Sequence, residues 1–160
     1  MSVSNASDLN SCLLEKYKTY TKAKEQWQIE STEIIKRHSP SLSEVAELYM
    51  RDQLVLIEKN HIAVKFLLSS EPSMVSSKKK LNQWLSLSRD EEQALAKKSE
   101  QFSKLLNIEH VSQKRAPLPG GDKLRLIMRA EIMTLPEFQG LLTNFNSKIK
   151  EANNKKCDAT

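Results

Sequence analysis

Side chains that could perform acid-base or metal chemistry are sparse in this 160-residue chain. The three histidines, His38, His61 and His110, are dispersed, and no serine or cysteine constellation accompanies them. Glu58 and His61 form one Glu-x-x-His pair, a unit that di-iron bundles use twice, but the sequence has no second copy. The segment "PGGD", residues 119–122, lacks the lysine and the strand of a phosphate-binding loop. We therefore expect no enzymatic activity, no metal and no cofactor.

Binding is the class of function that remains, and the charge of the chain favours acidic ligands. The sequence has 25 basic and 20 acidic residues, a net charge of +5, which attracts polyanions without requiring one. Lysine and arginine hold phosphates, whereas asparagine and glutamine can pair with adenine edges. Basic residues cluster around two junctions between expected helices, and we predict these as candidate DNA contacts: Lys78, Lys79, Lys80, Arg89, Lys97, Lys98, Lys123, Arg125 and Arg129.

Each junction, at residues 81–106 and 124–149, fits either a DNA-reading helix-turn-helix or a corner in a helical bundle. The acidic start "RDEE" (89–92) argues against the simplest DNA-reading role of the first, because recognition helices place their N-terminal residues in the major groove. In the second junction, polar side chains follow the turn and could face bases: Gln139, Asn144, Asn146 and Lys148. Both interpretations remain open for both junctions.

Helices must position these residues, because only three glycines and five prolines interrupt a chain rich in helix formers. We predict an all-α fold, a bundle of about six helices with a long N-terminal helix. The first helix should run from about Ser7 or Ser11 to Arg37. The second should open with Ser41 and Glu44, which have capping-box spacing, and should end near Ser70.

Four further helices are expected after residue 70. A short third helix contains Leu81, Trp84 and Leu85, and Ser88 with Glu91 gives the fourth a capping box. The fifth spans "KLRLIMRAEIM", and the sixth opens with Thr134, Pro136 and Glu137, again with capping-box spacing. The segment "VSQKRAPLPGGD" divides the chain into a helical core and oligomerisation region at 1–110, a linker or exposed loop at 111–122, and a C-terminal hairpin and tail at 123–160.

An apolar seam on the first helix predicts a contact with another helix. Its members repeat every seven residues, and we predict that they form a homo-oligomer: Leu13, Tyr20, Trp27 and Ile34. Lysines lie around and beside this seam, so the helix could also rest on an acidic surface, although such a run is usually a solvated face. These lysines are Lys16, Lys18, Lys22 and Lys24.

The two cysteines, Cys12 and Cys157, are near opposite ends of the chain and lack metal-ligand spacing. We interpret them as unremarkable thiols of a reducing compartment. No stretch approaches the roughly 20 apolar residues that a bilayer requires, and "MSVSNASDL" (1–9) lacks the features of a secretory leader. We therefore expect a cytoplasmic protein without a membrane partner.

Residues 57–106 resemble the FlhD family, helical subunits of bacterial transcriptional activators. The similarity is in the order of parts: a helix ending in "HIAVKFLL", a polar stretch "SSEPSM", and then "LNQWLSLSRDEEQALAKKSEQFSKLL". It covers about a third of the chain and is a pattern of apolar positions. The resemblance implies a dimer-forming subunit that activates promoters together with a second, FlhC-like protein.

The sequence thus leads to two hypotheses of different classes. The first is a DNA-associated regulatory subunit, an activator that works with a partner subunit. The alternative is a helical interaction module, such as a scaffold or secretion chaperone, whose seam grips another helix. Salt distinguishes them, because binding to phosphates weakens steeply as salt rises.

Overall fold

The all-α prediction is confirmed by a computed structural model, which describes residues 2–157 and the side chains of residues 6–157. Met1 and residues 158–160 lie outside the described part, and with them the outer ends of the predicted 1–110 and 123–160 regions. The described residues form six α-helices and no strand: α1 (Ser2–His38), α2 (Ser43–Ser70), α3 (Arg89–Lys98), α4 (Glu100–Gln113), α5 (Gly121–Ala130) and α6 (Pro136–Asn154).

The long N-terminal helix α1 is the axis of the fold. Helix α2 returns antiparallel along it, because a tight turn at Ser39–Leu42 reverses the chain. Contacts at both ends of the pair define this register: Asn10 Nδ2 donates to the Leu68 carbonyl at 2.9 Å, and Lys36 pairs with Glu47 at 2.7 Å. The antiparallel hairpin therefore extends over nearly the full length of α2.

Helix α6 also packs antiparallel to α1, on a side that α2 leaves open. Near one end Lys16 contacts Asn153, near the middle Trp27 lies against Phe145, and at the other end Arg37 pairs with Glu137. Consequently α2 and α6 run parallel to each other with α1 between them. This arrangement brings the two ends of the described chain together.

Two apolar clusters fill the space between the helices. One surrounds Tyr17, Val64 and Trp84 and includes α6 through Ala152. The other joins Ile34 and Val45 with residues from α5, the following turn and α6: Leu124, Ile132 and Phe138. Both clusters therefore unite residues from before and after the predicted linker at 111–122.

Local boundaries differ from the sequence prediction at several places. The predicted third helix is a single 3₁₀ turn at Leu81–Gln83 inside an irregular segment, and the predicted fourth helix is two helices separated at Ser99. Helix α4 continues to Gln113, so the irregular connection is residues 114–120, shorter than predicted. Gly120 has a φ of 92°, a left-handed conformation that favours glycine, at the start of α5.

Of the three predicted capping boxes, only the one at Ser88 is formed. Ser88 Oγ accepts from Glu91 N at 3.1 Å, and the Glu91 carboxylate accepts from Ser88 N. Neither α2 nor α6 has a side-chain cap, because a 3₁₀ turn precedes α2 and Leu135 occupies the cap position of α6. The structure thus corrects the predicted boxes at Ser41 and Thr134, whereas Pro136 lies in the first turn of α6 as predicted.

No helix in residues 2–157 combines the length and apolar character needed to cross a bilayer.

Candidate phosphate-binding groove

A basic groove runs between α1, α6 and the segment 75–82. It consists of two adjoining cavities of about 590 and 370 Å³, and Asn153 lines both. Its walls carry six lysines from three parts of the chain, which we call the lysine groove: Lys16 and Lys24 on α1, Lys78 and Lys80 in the segment, and Lys155 and Lys156 after α6.

Helical spacing places the α1 and α6 side chains along the groove. Lys16, Tyr20 and Lys24 are four residues apart, so they share one face of α1. On α6, Asn146 and Asn153 are seven residues apart and likewise share a face. The antiparallel packing of α1 on α6 turns these two faces toward the same cleft.

Two buried side chains fix the third wall. Leu81 and Trp84 are essentially fully buried, and Trp84 Nε1 donates to the Lys79 carbonyl at 3.0 Å. Ser76 N donates to the Trp84 carbonyl at 2.9 Å, which closes the segment into a compact loop. The backbone of the lysine run is therefore held in place while the lysine side chains remain exposed.

Positive charge dominates the described lining of the groove. No acidic side chain of residues 6–157 lines either cavity. Among residues 6–157, none of the six lysines has a carboxylate oxygen within 4.0 Å. Lys24 lies over the Tyr20 ring, 5.2 Å from its centroid, and burial lowers the pKa of Lys24. An anion in this groove would meet several ammonium groups without competition from the described carboxylates.

The structure separates the nine predicted DNA contacts into three places. Lys78, Lys79 and Lys80 lie on the loop beside the groove, and two of them line it. Arg89, Lys97 and Lys98 are on α3, where Lys98 pairs with Glu71 at 2.9 Å. The third set lies on α5, beside the start of α2, and consists of Lys123, Arg125 and Arg129. Arg125 pairs there with Asp122. The nine residues therefore do not form one surface.

The first predicted helix-turn-helix is not formed, whereas the second is present as α5 and α6, joined by a 3₁₀ turn at Ile132–Thr134. The first lacks its leading helix, since residues 81–88 are irregular apart from the 3₁₀ turn. In the second, α6 turns Phe138 and Phe145 toward Trp27 of α1, so one face of the supposed reading helix is occupied. Of its four polar candidates, Gln139 donates to the Met133 carbonyl, Lys148 donates to Gln26, and Asn146 lines the groove.

The seam predicted to form an oligomer is instead packed inside the chain. Leu13, Tyr20 and Ile34 are buried, and the Trp27 ring lies 5.3 Å from Phe138 and 5.1 Å from Phe145, centroid to centroid. The heptad spacing was correctly interpreted as a contact with another helix, but α6 and α2 of the same chain supply that contact. The residues assigned to the oligomer therefore belong to the intramolecular core.

The prediction of two unremarkable thiols is wrong, because Cys12 and Cys157 form a disulfide with a Cα–Cα distance of 5.7 Å. Cys12 is near the start of α1 and Cys157 follows the end of α6, so antiparallel packing of these helices makes the cysteines neighbours. The signal was available in the sequence, since the only two cysteines lie just inside opposite ends of the chain. Cys157 also lines the larger cavity of the lysine groove.

Other titratable groups serve packing. Buried Lys59 donates to Glu92 of α3 at 2.9 Å and to Glu109 of α4, which ties both helices to α2. Burial lowers the pKa of Lys59, but these two hydrogen bonds outweigh burial and raise it overall.

His61 stacks on Tyr17 at 6.4 Å, and burial, followed by the charge of Lys65, lowers the pKa of His61. Burial raises the pKa of Tyr17. Within the described residues, no three His, Cys, Asp or Glu side chains are grouped to hold a metal ion.

Comparisons with known proteins find no matching family model, no matching curated protein and no matching solved structure.

Proposed function

We propose that this protein is a DNA-associated regulatory subunit that holds the phosphate backbone in the lysine groove. The observation that carries the proposal is the convergence of six lysines, from three parts of the chain, on a cleft whose described lining has no carboxylate. Some lysines elsewhere have an acidic partner, as Lys98 and Lys104 do, but it is the convergence of the six on one cleft that distinguishes the groove. A concave cluster without such partners favours an anionic ligand.

The length of the groove suits several phosphates. Lys16 and Lys24 are eight residues apart on α1, about 12 Å along the helix axis at 1.5 Å per residue. Cys12, beside Lys156, is one further turn away, which extends the basic wall to about 18 Å. Consecutive phosphates of one strand are farther apart than the axial rise of about 3.4 Å per nucleotide, so this distance spans several phosphates but fewer than about five.

Such contacts position a protein on DNA without selecting a base sequence, because lysine acts on phosphate as a point charge. Sequence selection would then come from a partner subunit. The resemblance of residues 57–106 to FlhD implies this division of labour, with an FlhC-like partner and an activating role at promoters. The proposal places the protein in the bacterial cytoplasm, where the DNA is.

A salt titration tests the proposal. We expect the purified chain to bind a 20-base-pair duplex in fluorescence anisotropy, with log K falling by about 0.9 per phosphate contact against log salt. Changing Lys16→Gln together with Lys80→Gln should reduce this slope by about 1.8. The matched control is Lys97→Gln with Lys123→Gln, which removes the same charge from exposed positions outside the groove.

The control pair also distinguishes binding in the groove from binding at the α3 and α5 surfaces predicted from the sequence. Loss of affinity confined to the Lys16 and Lys80 pair supports the groove. An equal loss in both pairs would mean diffuse attraction to the whole surface, and no measurable binding at low salt would refute the proposal.

A helical interaction module is the second candidate. A mainly apolar groove of about 280 Å³ between the end of α2 and α3 favours it, with Phe66, Met74 and Leu87 in its lining. Tagged purification from the native host, with and without nuclease, distinguishes the two candidates. A DNA-binding companion that persists after nuclease treatment supports the regulatory subunit, whereas secretion or membrane components support the module.

A further inference from the structure

The disulfide is part of the lysine groove. Cys157 lines the larger cavity beside Leu9 and Leu13, and the two residues before it, Lys155 and Lys156, supply part of the basic wall. Helix α6 ends at Asn154, so these lysines belong to a short non-helical extension. Their placement over the groove depends on what holds that extension to α1.

The hydrogen bonds that α6 makes to the other walls of the groove are at Asn153. Its side-chain oxygen accepts from Leu81 N at 2.9 Å, and its carbonyl accepts from Lys16 Nζ at 3.1 Å. Lys155 N makes the last backbone hydrogen bonds of the helix, to the Glu151 and Ala152 carbonyls. Neither Lys156 nor Cys157 donates a backbone hydrogen bond to another described residue. Cys157 packs against the apolar cluster around Leu13, and the disulfide to Cys12 is the covalent tie of the extension to α1.

In the cytoplasm a disulfide can regulate a protein as well as stabilise it. A protein that binds DNA in the cytoplasm, as proposed above, meets a thiol pool that keeps most cysteines reduced. Disulfides in that environment are usually transient and redox-sensing. Both cysteines are partly exposed, so a small thiol can reach the bond.

We propose that the Cys12–Cys157 disulfide regulates the affinity of the lysine groove for DNA, an inference that rests on the proposed function. Oxidation fixes Lys155 and Lys156 over the groove, and reduction releases them. In the reductive step a dithiol transfers two electrons and two protons to the bond. The sulfur–sulfur bond breaks, two protein thiols form, and the dithiol becomes a cyclic disulfide.

Release weakens binding because a mobile lysine must be immobilised before it can hold a phosphate, and this costs conformational entropy. The rest of the groove survives reduction. Ala152 is 2% exposed within the apolar cluster, and the Asn153 contacts do not involve the disulfide. Reduction should therefore lower affinity without unfolding α6.

The test measures duplex binding by the full chain before and after treatment with dithiothreitol, with circular dichroism to confirm that helicity is retained. We expect the dissociation constant at 50 mM salt to rise about tenfold on reduction, and the salt slope to fall by up to about 1.8 for two lost contacts. Cys12→Ser with Cys157→Ser should bind like the reduced protein and should not respond to dithiothreitol.

A second variant tests the mechanism without altering the cysteines. Lys155→Gln with Lys156→Gln, in the oxidised state, should reproduce the weaker binding of the reduced protein and should be nearly insensitive to dithiothreitol. If oxidised and reduced wild type bind DNA equally well, the proposed function stands and the redox inference is refuted. If neither form binds DNA, both are refuted.

Discussion

The side-chain oxygen of Asn153 accepts a hydrogen bond from the backbone N–H of Leu81 across 72 residues of sequence, at 2.9 Å. The Asn153 carbonyl at the same time accepts from Lys16 Nζ at 3.1 Å. One residue of α6 therefore joins all three walls of the lysine groove. Since Leu81 is 1% exposed, its N–H has little access to water that could replace this partner.

Removing this bond should destabilise the protein. We expect Asn153→Ala to lower the free energy of unfolding by about 1–3 kcal/mol, because a buried donor loses its acceptor. Urea denaturation measures the change. The control is Asn154→Ala, at the exposed neighbouring position, which should change stability by no more than about 0.5 kcal/mol. Equal effects of the two substitutions would show that the Leu81 contact has no special role.

The cap of α3 offers a second comparison. Ser88→Ala should cost about 1 kcal/mol in the free energy of unfolding, because Ser88 Oγ satisfies the Glu91 N–H. Ser41→Ala should cost much less, since Ser41 is exposed and lies in the 3₁₀ turn before α2, which has no side-chain cap. Parallel chemical denaturation curves test this ranking. A larger loss at Ser41 would restore the capping box that the sequence predicted there.

The aromatic contact between α1 and α6 gives a third prediction. Trp27→Ala should lower the free energy of unfolding by about 2–3 kcal/mol, somewhat less than a fully buried aromatic because Trp27 is only partly buried. Light scattering should give the same mass for variant and wild type, since Trp27 contacts Phe138 and Phe145 of its own chain. Ile29→Ala, at an exposed position nearby, is the control and should have little effect on stability. A fall in mass for Trp27→Ala alone would return this residue to an oligomer interface.

Acid should destabilise the protein through His61. Its Nδ1 is buried and has no hydrogen-bond partner among the described residues, and burial, then the positive charge of Lys65, lowers the pKa of this histidine. The unfolded chain therefore binds more protons than the folded chain below the ordinary histidine pKa of about 6.5, so stability falls as pH decreases through that window.

Thermal unfolding at pH 7.5 and 5.5 checks this expectation. His61→Gln should show a smaller decrease in melting temperature between the two pH values than the wild type, because the substituted side chain does not titrate. Glu58 and Glu25, which oppose the shift, and Lys18, which adds to it, are unchanged in the variant. Identical pH dependence in both proteins would remove His61 as the source of the acid sensitivity.

Hydrophobic periodicity predicted the long helices well because a buried stripe on one helix is a local pattern. It missed the break at Ser99 because that break has a tertiary cause. Glu92 and Glu109 would be about 26 Å apart along one straight helix, yet both contact the same Lys59 ammonium. The chain must bend between them, and Ser99 then caps α4 by accepting from Phe102 N at 3.2 Å.

The lysine groove was only partly predictable from the sequence for a related reason. The sequence shows the basic run at residues 78–80 and the lysines of α1 beside the apolar seam. Their convergence with Lys155 and Lys156 depends on α6 packing antiparallel to α1, which no local pattern specifies. The same packing makes covalent partners of the two cysteines, which the sequence analysis interprets as unremarkable thiols.

The disulfide also determines how the molecule would respond to force. Cys12 and Cys157 are separated by 145 positions, so nearly the whole chain lies inside one covalent loop. A pull applied at the two ends would pass through the sulfur–sulfur bond and bypass the helices, and the oxidised molecule could lengthen only by its short outer segments. Once reduced, the same chain could extend by roughly 500 Å at about 3.4 Å per residue. The disulfide therefore limits the extension of the oxidised protein under force, whatever the strength of its helical packing.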